Sequence, residues 1–121
     1  MSGLSIIVAG AEGARFYAAL ETAMTAAALG SPARIFLQGE AVALLRKPVS
    51  VPGEAARKAA GLPELAWMID EATAMEVGLF ACQSGMALVG LTSDAMVPHV
   101  KAAGLVSFLS ELGNSDRLLV Y

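Results

Sequence analysis

The segment from Val77 to Ser93 carries no charged residue, and it contains Cys82, the single cysteine of the chain. Val77 to Ala81 is a short apolar run, which is typical of a strand that is buried on both faces. Polar turn residues follow Cys82, and an apolar pattern compatible with a helix resumes at Met86. We therefore predict a buried strand that ends at Cys82 and turns directly into a helix.

Strand and helix patterns alternate along the rest of the chain. Short apolar runs predict strands, and runs with helical periodicity predict helices. The predicted strands cover residues 4–9, 33–38, 96–100 and 117–121, and the predicted helices cover 14–29, a segment that opens at Pro63, and 105–112. This alternation predicts a single α/β domain over residues 1–121. We expect a three-layer sandwich with a mostly parallel sheet of about five strands and helices on both faces.

Residues 46–62 depart from this alternation, because two prolines, two glycines and five charged residues cluster there. Such punctuation is typical of a surface excursion. We expect at most one short helix within it, over residues 54–60. The sequence does not predict a role for the excursion.

The composition is unusually apolar, with 56% hydrophobic and 16% charged residues over 121 positions. An average domain carries about 25% charged residues. A small globule cannot bury that much apolar surface by itself, so we predict an obligate homo-oligomer. The alternative is that alanines, which cover surface without being sticky, account for the surplus.

Several classes of function are disfavoured by the residue inventory. One cysteine and one histidine give no convincing metal-ligand set, and the net charge of −3 includes no basic run for nucleic acid. No apolar run reaches the roughly 20 residues that span a bilayer. No signal-peptide pattern is visible at the amino end. We expect a soluble cytoplasmic protein without membrane insertion, nucleic-acid binding, metal or cofactor.

Cys82 is the main candidate for chemistry. A thiol at the amino end of a helix is shifted toward thiolate, which favours a nucleophilic or sulfur-carrying role supported by Gln83, Ser84 and Gly85. The alternative is a buried structural cysteine, since cysteine is among the most buried residue types. His99, the single histidine, would have to be the base of any protease-like dyad or tune the thiol. We expect the segment around His99 to flank the same sheet edge as Cys82.

A second candidate is the turn that opens the first helix. Gly10 and Gly13 bracket a strand-to-helix turn that could hold an anion at the helix amino end. The turn lacks the G-x-G-x-x-G pattern of dinucleotide sites, and Glu12 within it would repel phosphate. A tight structural turn is therefore the simpler explanation, and an anion or nucleotide sensor is the functional one.

Six segments of the sequence together resemble a known family. They are Ile6–Gly10, Leu29–Gly30, Arg34–Leu37, Gly78–Met86 followed by Gly90–Leu91, Ala103–Leu105 with Phe108–Leu109, and Leu118–Tyr121. This pattern resembles the DsrE/DsrF-like family, sometimes labelled YchN-like or predicted peroxiredoxin. The match covers nearly the whole chain, and the strand–cysteine–Met–Gly-Leu block is its most specific part.

The resemblance implies a small α/β fold that assembles as a trimer or hexamer. It also implies sulfurtransferase-like sulfur relay, in which Cys82 accepts a sulfane sulfur as a persulfide and hands it to a partner protein. The chain departs from the family pattern at Glu76-Val77, where a smaller entry to the cysteine strand is expected, and in the excursion over residues 46–62. The alternative within the same fold is a non-catalytic oligomeric scaffold with an inert cysteine. Neither the sulfur donor nor the acceptor follows from the sequence.

Overall fold

The computed structural model describes residues 2–121, which form five strands and five α-helices. The strands are β1 (Leu4–Val8), β2 (Ala33–Leu37), β3 (Gly78–Cys82), β4 (Val100–Ala103) and β5 (Arg117–Val120). The α-helices are α1 (Gly13–Ala28), α2 (Glu54–Ala59), α3 (Leu65–Ala74), α4 (Gln83–Val89) and α5 (Leu105–Ser110). Two 3-10 segments, Gly39–Leu45 and Ser93–Ala95, follow β2 and α4.

The five strands form one sheet in the order β4-β3-β2-β1-β5, and every pairing is parallel. Parallel neighbours need crossover connections, which the intervening helices supply. The prediction of an α/β fold with about five mostly parallel strands is confirmed. The three central strands are mostly buried, as their largely apolar sequences predict.

Helices cover both faces of the sheet. Phe36 of β2 is in register with Phe80 of β3, and both rings contact Phe108 of α5 at centroid distances of 5.1 and 5.6 Å. The connections between β1, β2, β3 and β4 all run in one direction across the sheet. The connection through α5 runs in the opposite direction, from β4 at one edge to β5 at the other. Because such crossovers are right-handed, α5 lies on one face and α1, α3 and α4 lie on the other.

The core on the α1 side follows the helical periodicity of the sequence. Phe16, Leu20 and Ala23 are spaced four and three residues apart and are fully buried. The helix α1 packs against α3 as well as against β1 and β2. No helix between residues 2 and 121 has both the length and the apolarity required to span a membrane.

The excursion over residues 46–62 contains one short helix, α2, as the sequence predicts. Glu54 fastens this helix to the body of the protein, because its carboxylate accepts hydrogen bonds from the Tyr17 hydroxyl and the Leu65 backbone N–H, both at 2.7 Å. The guanidinium of Arg57 stacks on the Tyr17 ring at 3.4 Å from its centroid. The excursion is therefore held against α1 and the start of α3.

Two predicted boundaries are wrong. The fourth strand does not cover residues 96–100, since Met96 forms only an isolated bridge with Arg46 and β4 begins at Val100. The strand instead uses the sequence Val-Lys-Ala-Ala, whose pairing with β3 outweighs the weak strand propensity of alanine and lysine. The helix α3 begins at Leu65 with Glu64 as its N-cap, so Pro63 precedes the helix.

Candidate functional site

Cys82 is the last residue of β3 and the N-cap of α4, as predicted. Cys82 therefore lies at the edge of the sheet where the carboxyl ends of the five parallel strands meet. In open α/β sheets, ligands bind outside the carboxyl ends of the strands. The fold therefore puts the single thiol at the place where this architecture usually carries its chemistry.

Two neighbouring groups hydrogen-bond to the Cys82 sulfur, and a third backbone N–H faces it. The backbone N–H of Gly85 donates to Sγ at 3.4 Å, which caps the first turn of α4. The Ser84 hydroxyl lies 3.2 Å from Sγ. The backbone N–H of Gly39, at the start of the 3-10 segment after β2, also faces the sulfur. Donors therefore reach the thiol from two different segments of the chain.

These contacts set the ionisation of the thiol. Cys82 is only 6% exposed. This burial raises the pKa of its thiol, because a thiolate loses its hydration there. The Ser84 hydroxyl and the backbone N–H groups of Gly39, Gly85 and Ser84 lower it by stabilising the thiolate. The hydrogen bonds prevail, so the pKa of Cys82 lies below its ordinary value. The site therefore favours the nucleophilic form of cysteine.

Close packing between two backbone segments holds this geometry. Gly85 lies so near Gly39 that a Cβ at position 85 would overlap the carbonyl oxygen of Gly39. Gly39 has a φ of +58°, a left-handed conformation that suits glycine. The pair of glycines thus lets the amino end of α4 approach the 3-10 segment after β2.

Arg46 secures the other end of α4. Its guanidinium donates a hydrogen bond of 3.0 Å to the carbonyl oxygen of Val89, in the last turn of the helix. A cation at a helix carboxyl end satisfies a free carbonyl and complements the helix dipole. Arg46 lies at the end of the 3-10 segment that begins with Gly39, so this segment contacts α4 at both ends.

The structure brings together Cys82, Ser84 and Gly85 among the predicted site residues. Gln83 is the first residue of α4, is exposed, and is not among the groups that hydrogen-bond to the sulfur. The predicted placement of His99 is wrong. Because β4 runs parallel to β3 and its first residue, Val100, pairs with Leu79, His99 lies beyond the amino end of β4, about 13 Å of strand length from Cys82.

Gly10 and Gly13 lie in the turn between β1 and α1, as the sequence indicates. They line a surface cavity of about 620 Å³ together with Glu12 and Glu40. Glu12 forms an ion pair of 2.7 Å with Arg15, whereas the Glu40 carboxylate has no cation within salt-bridge distance among residues 2–121. Two carboxylates in one cavity disfavour an anionic ligand, so the geometry adds no support to the anion-site hypothesis.

Sequence reasoning missed Gly39 as a neighbour of the thiol and Arg46 as a contact of the other end of α4. Gly39 was visible as the residue that ends the second strand, and the carboxyl ends of neighbouring parallel strands meet at one sheet edge. Placing it beside Cys82 requires the strand order, which the sequence alone does not give. Arg46 carries no local signal, since its contact with Val89 joins residues 43 positions apart.

Comparisons with known proteins agree with this architecture. The model of the DsrE/DsrF-like family matches residues 4–121. The crystal structure of the ychN protein from E. coli is similar over 100% of both chains, with a TM-score of 0.77 and 19% sequence identity, a likeness that concerns the fold. A comparison with curated protein sequences gives no match. The family match spans all five strands and the Cys82 site, and the chain therefore belongs to the DsrE/DsrF-like family.

Proposed function

We propose that this protein is a sulfur-relay protein that accepts a sulfane sulfur on Cys82 as a persulfide and passes it to a partner protein. The observation that carries the proposal is the thiol at the carboxyl end of β3, where the Ser84 hydroxyl and the backbone N–H groups of Gly85 and Gly39 lower its pKa. The family is generally linked to sulfur relay, which supports the same reading. The chemistry needs one nucleophilic thiol, and the chain has one cysteine.

The loading step is a two-electron transfer of neutral sulfur. The Cys82 thiolate attacks the outer sulfur of a donor persulfide, a new S–S bond forms on Cys82, and the S–S bond of the donor breaks. The donor leaves as a thiolate and takes up a proton. Unloading is the same reaction in reverse sense, with an acceptor thiolate attacking the outer sulfur and Cys82 leaving. No external oxidant or reductant is consumed, because each disulfide-type bond broken is replaced by one formed.

The surroundings of the sulfur suit both steps. The groups that lower the pKa of the thiol are neutral, so neither step has to separate the sulfur from a paired cation. The outer surface of α4 beside Cys82 is exposed and uncharged at Gln83, Ser84 and Leu88. A partner protein can therefore approach the thiol without a charge barrier. We place this reaction in the cytoplasm, where thiols are kept reduced.

The partners in this proposal are a sulfur donor, a sulfur acceptor and further copies of the chain. The assembly is a homo-oligomer, a trimer or a hexamer. Its support is the exposure of large apolar side chains on several elements of the isolated chain, including Leu88 of α4, Val106 of α5 and the residues of β5.

The decisive experiment is to load the protein with a small persulfide, such as glutathione persulfide, and to measure its intact mass before and after reduction. We expect a gain of one sulfur atom that dithiothreitol removes, and none in Cys82→Ser. The pH dependence of alkylation by iodoacetamide, measured on the same samples, should have a midpoint below the ordinary thiol value of about 8.5.

The contrary outcomes are distinct. A folded protein that gains no sulfur, with a thiol that is alkylated only in denaturant, would refute the relay proposal and favour the oligomeric scaffold with an inert cysteine. If the Cys82→Ser variant gains as much sulfur as the parent protein, the added mass is not on this thiol. Cys82→Ser should keep the fold, because serine is nearly isosteric and retains a capping oxygen for Gly85.

A further inference from the structure

The two edges of the sheet differ in how they are protected. The edge strand β4 carries Lys101, and Pro98 lies two residues before it. Lysine and proline at an edge are common devices against pairing with another chain. The other edge strand, β5, has the apolar sequence Leu118-Leu119-Val120 and is exposed along its whole length. The strand has no lysine or proline, and its one charged residue, Arg117, stands at its first position, so the apolar remainder of this edge is suited to pairing with another strand.

The backbone of β5 alternates between groups that are paired and groups that are open. The N–H groups of Arg117 and Tyr121 donate to β1 at Gly3 and Ile7, at 3.0 and 2.7 Å. Leu119 occupies the same side of the strand, by the two-residue period. The N–H and C=O groups of Leu118 and Val120 therefore point away from β1, toward the open edge.

We propose that β5 pairs with β5 of a second copy of this chain, antiparallel and about a two-fold axis that passes through Leu119. In this register, Leu118 of one copy lies opposite Val120 of the other. Each such pair exchanges two N–H···O=C hydrogen bonds, so all four open groups of each strand are satisfied. The result is a continuous ten-stranded sheet, with an isologous interface in which both copies use the same residues.

The side chains are self-complementary in the same register. The two Leu119 side chains face each other across the axis as a non-hydrogen-bonded pair, where Cβ atoms are about 4.5–5.5 Å apart. Leu119 is 39% exposed and Val120 is 64% exposed in the single chain. Pairing would bury both, together with the Leu118–Val120 contacts on the other face.

Charges also match across the proposed axis. Register places Arg117 of one copy opposite Tyr121 of the other, and the Tyr121 hydroxyl lies 2.6 Å from the Thr22 hydroxyl of α1. Glu21 precedes Thr22, and both residues line a groove along α1. Among residues 2–121, the ion pairs involve neither Arg117 nor Glu21. Each Arg117 thus comes beside the exposed carboxylate of Glu21 in the second copy, so the interface contains two such contacts.

This interface depends on the proposed self-assembly of the chain, and it assigns that assembly to the β5 edge. A hexamer built from two trimers contains a two-fold contact in addition to a three-fold one. The β5 edge supplies the two-fold contact of such an assembly. It leaves Cys82 free, because β3 and β5 are separated by two strands in the sheet order.

The test measures the mass of the full chain by light scattering after gel filtration, together with amide hydrogen exchange by NMR. Leu119→Lys places two like charges against each other and should halve the mass. The matched control is Val106→Lys on α5, a side chain that is 85% exposed and lies outside the interface. Arg117→Glu should also weaken the assembly, and adding Glu21→Arg to it should restore the parent mass.

Hydrogen exchange separates this edge from other surfaces. In the parent protein, the Leu118 and Val120 amides should exchange at least about tenfold more slowly than in Leu119→Lys, whereas the Leu119 amide stays protected in both. An oligomer whose Leu118 and Val120 amides exchange rapidly would overturn this interface and leave self-assembly intact. A monomeric parent protein would overturn both. Failure of Glu21→Arg to restore the mass of Arg117→Glu, with both variants folded, would refute the proposed register.

Discussion

Gly85 is the residue at which the site and the fold depend on each other most directly. The change Gly85→Ala adds one methyl group where the backbone carbonyl oxygen of Gly39 already lies. The obstacle is main chain, so it cannot yield by a rotamer change, and either α4 or the 3-10 segment must shift. Overpacking of this kind costs about 1–3 kcal/mol, and the upper end applies because backbone must move.

The alanine also gains helix propensity, worth up to about 1 kcal/mol within α4. The net loss expected for Gly85→Ala is therefore about 2 kcal/mol in the free energy of unfolding. For a chain of 121 residues, this corresponds to a fall in Tm of about 8 °C. The displaced helix also weakens the Gly85 N–H hydrogen bond to Cys82, so the midpoint of thiol alkylation should rise toward the ordinary value.

The assay is urea unfolding followed by circular dichroism, with Gly104→Ala as the matched control. Gly104 has no atom within 4 Å of an added Cβ, and its φ of −91° suits alanine. It is the N-cap of α5, where alanine caps less well than glycine, but alanine also restricts the unfolded chain, which offsets about 0.4–1 kcal/mol. The control should therefore stay within about 1 kcal/mol of the parent protein. A Gly85→Ala variant that unfolds with the same midpoint and slope as the control would refute the argument that the two backbones are in limiting contact.

Three further predictions concern side-chain hydrogen bonds. Glu54→Ala should lower the free energy of unfolding by about 1–3 kcal/mol, measured by urea unfolding, because the buried Tyr17 hydroxyl loses its acceptor; an unchanged stability would contradict this. Ser84→Ala should raise the pKa of Cys82, seen as a higher alkylation midpoint with unchanged unfolding, because the largest favourable contribution is removed. Asp116 accepts backbone N–H groups that lower its pKa below the unfolded value of about 4, so its contribution is present above that pH and lost as the pH falls through the folded pKa. Asp116→Asn should therefore make Tm fall less steeply as the pH is lowered, and an unchanged dependence of Tm on pH would refute this contribution of Asp116.

The parts of the fold that follow from local pattern were predictable from the sequence. The junction of β3 and α4 at Cys82 was predicted correctly, because an apolar run followed by polar turn residues is typical of a strand that leads into a helix. The short helix in the excursion was predicted within one residue of its end, since Gly53 and Gly61 mark its limits. These features depend on neighbours in sequence.

The parts that depend on strand order were not predictable. The strand β4 has an alanine-rich sequence without a strand pattern, and it forms because its backbone pairs with β3. The position of His99 follows from that pairing. The predicted strand began at residue 96, four residues before β4, and therefore put His99 at the carboxyl edge of the sheet instead of the amino edge. The contact between Gly39 and Cys82 likewise joins residues that only the parallel pairing of β2 and β3 brings together.

The nature of the groups around Cys82 leads to a last prediction, concerning salt. Its pKa is lowered by a hydroxyl and by backbone N–H groups, and no lysine, arginine or histidine is among the causes. Salt screens charge–charge interactions over about 10 Å at 0.1 M, but it has little effect on short hydrogen bonds from neutral donors. We expect the alkylation midpoint to stay constant between 0.05 and 1 M sodium chloride, measured with a neutral reagent such as iodoacetamide on the parent protein. A midpoint that rises steadily with salt would show that a cation stabilises the thiolate. Such a cation is not among the groups that lower the pKa of Cys82 in this structure, so the account of a thiolate held by neutral donors would then be wrong.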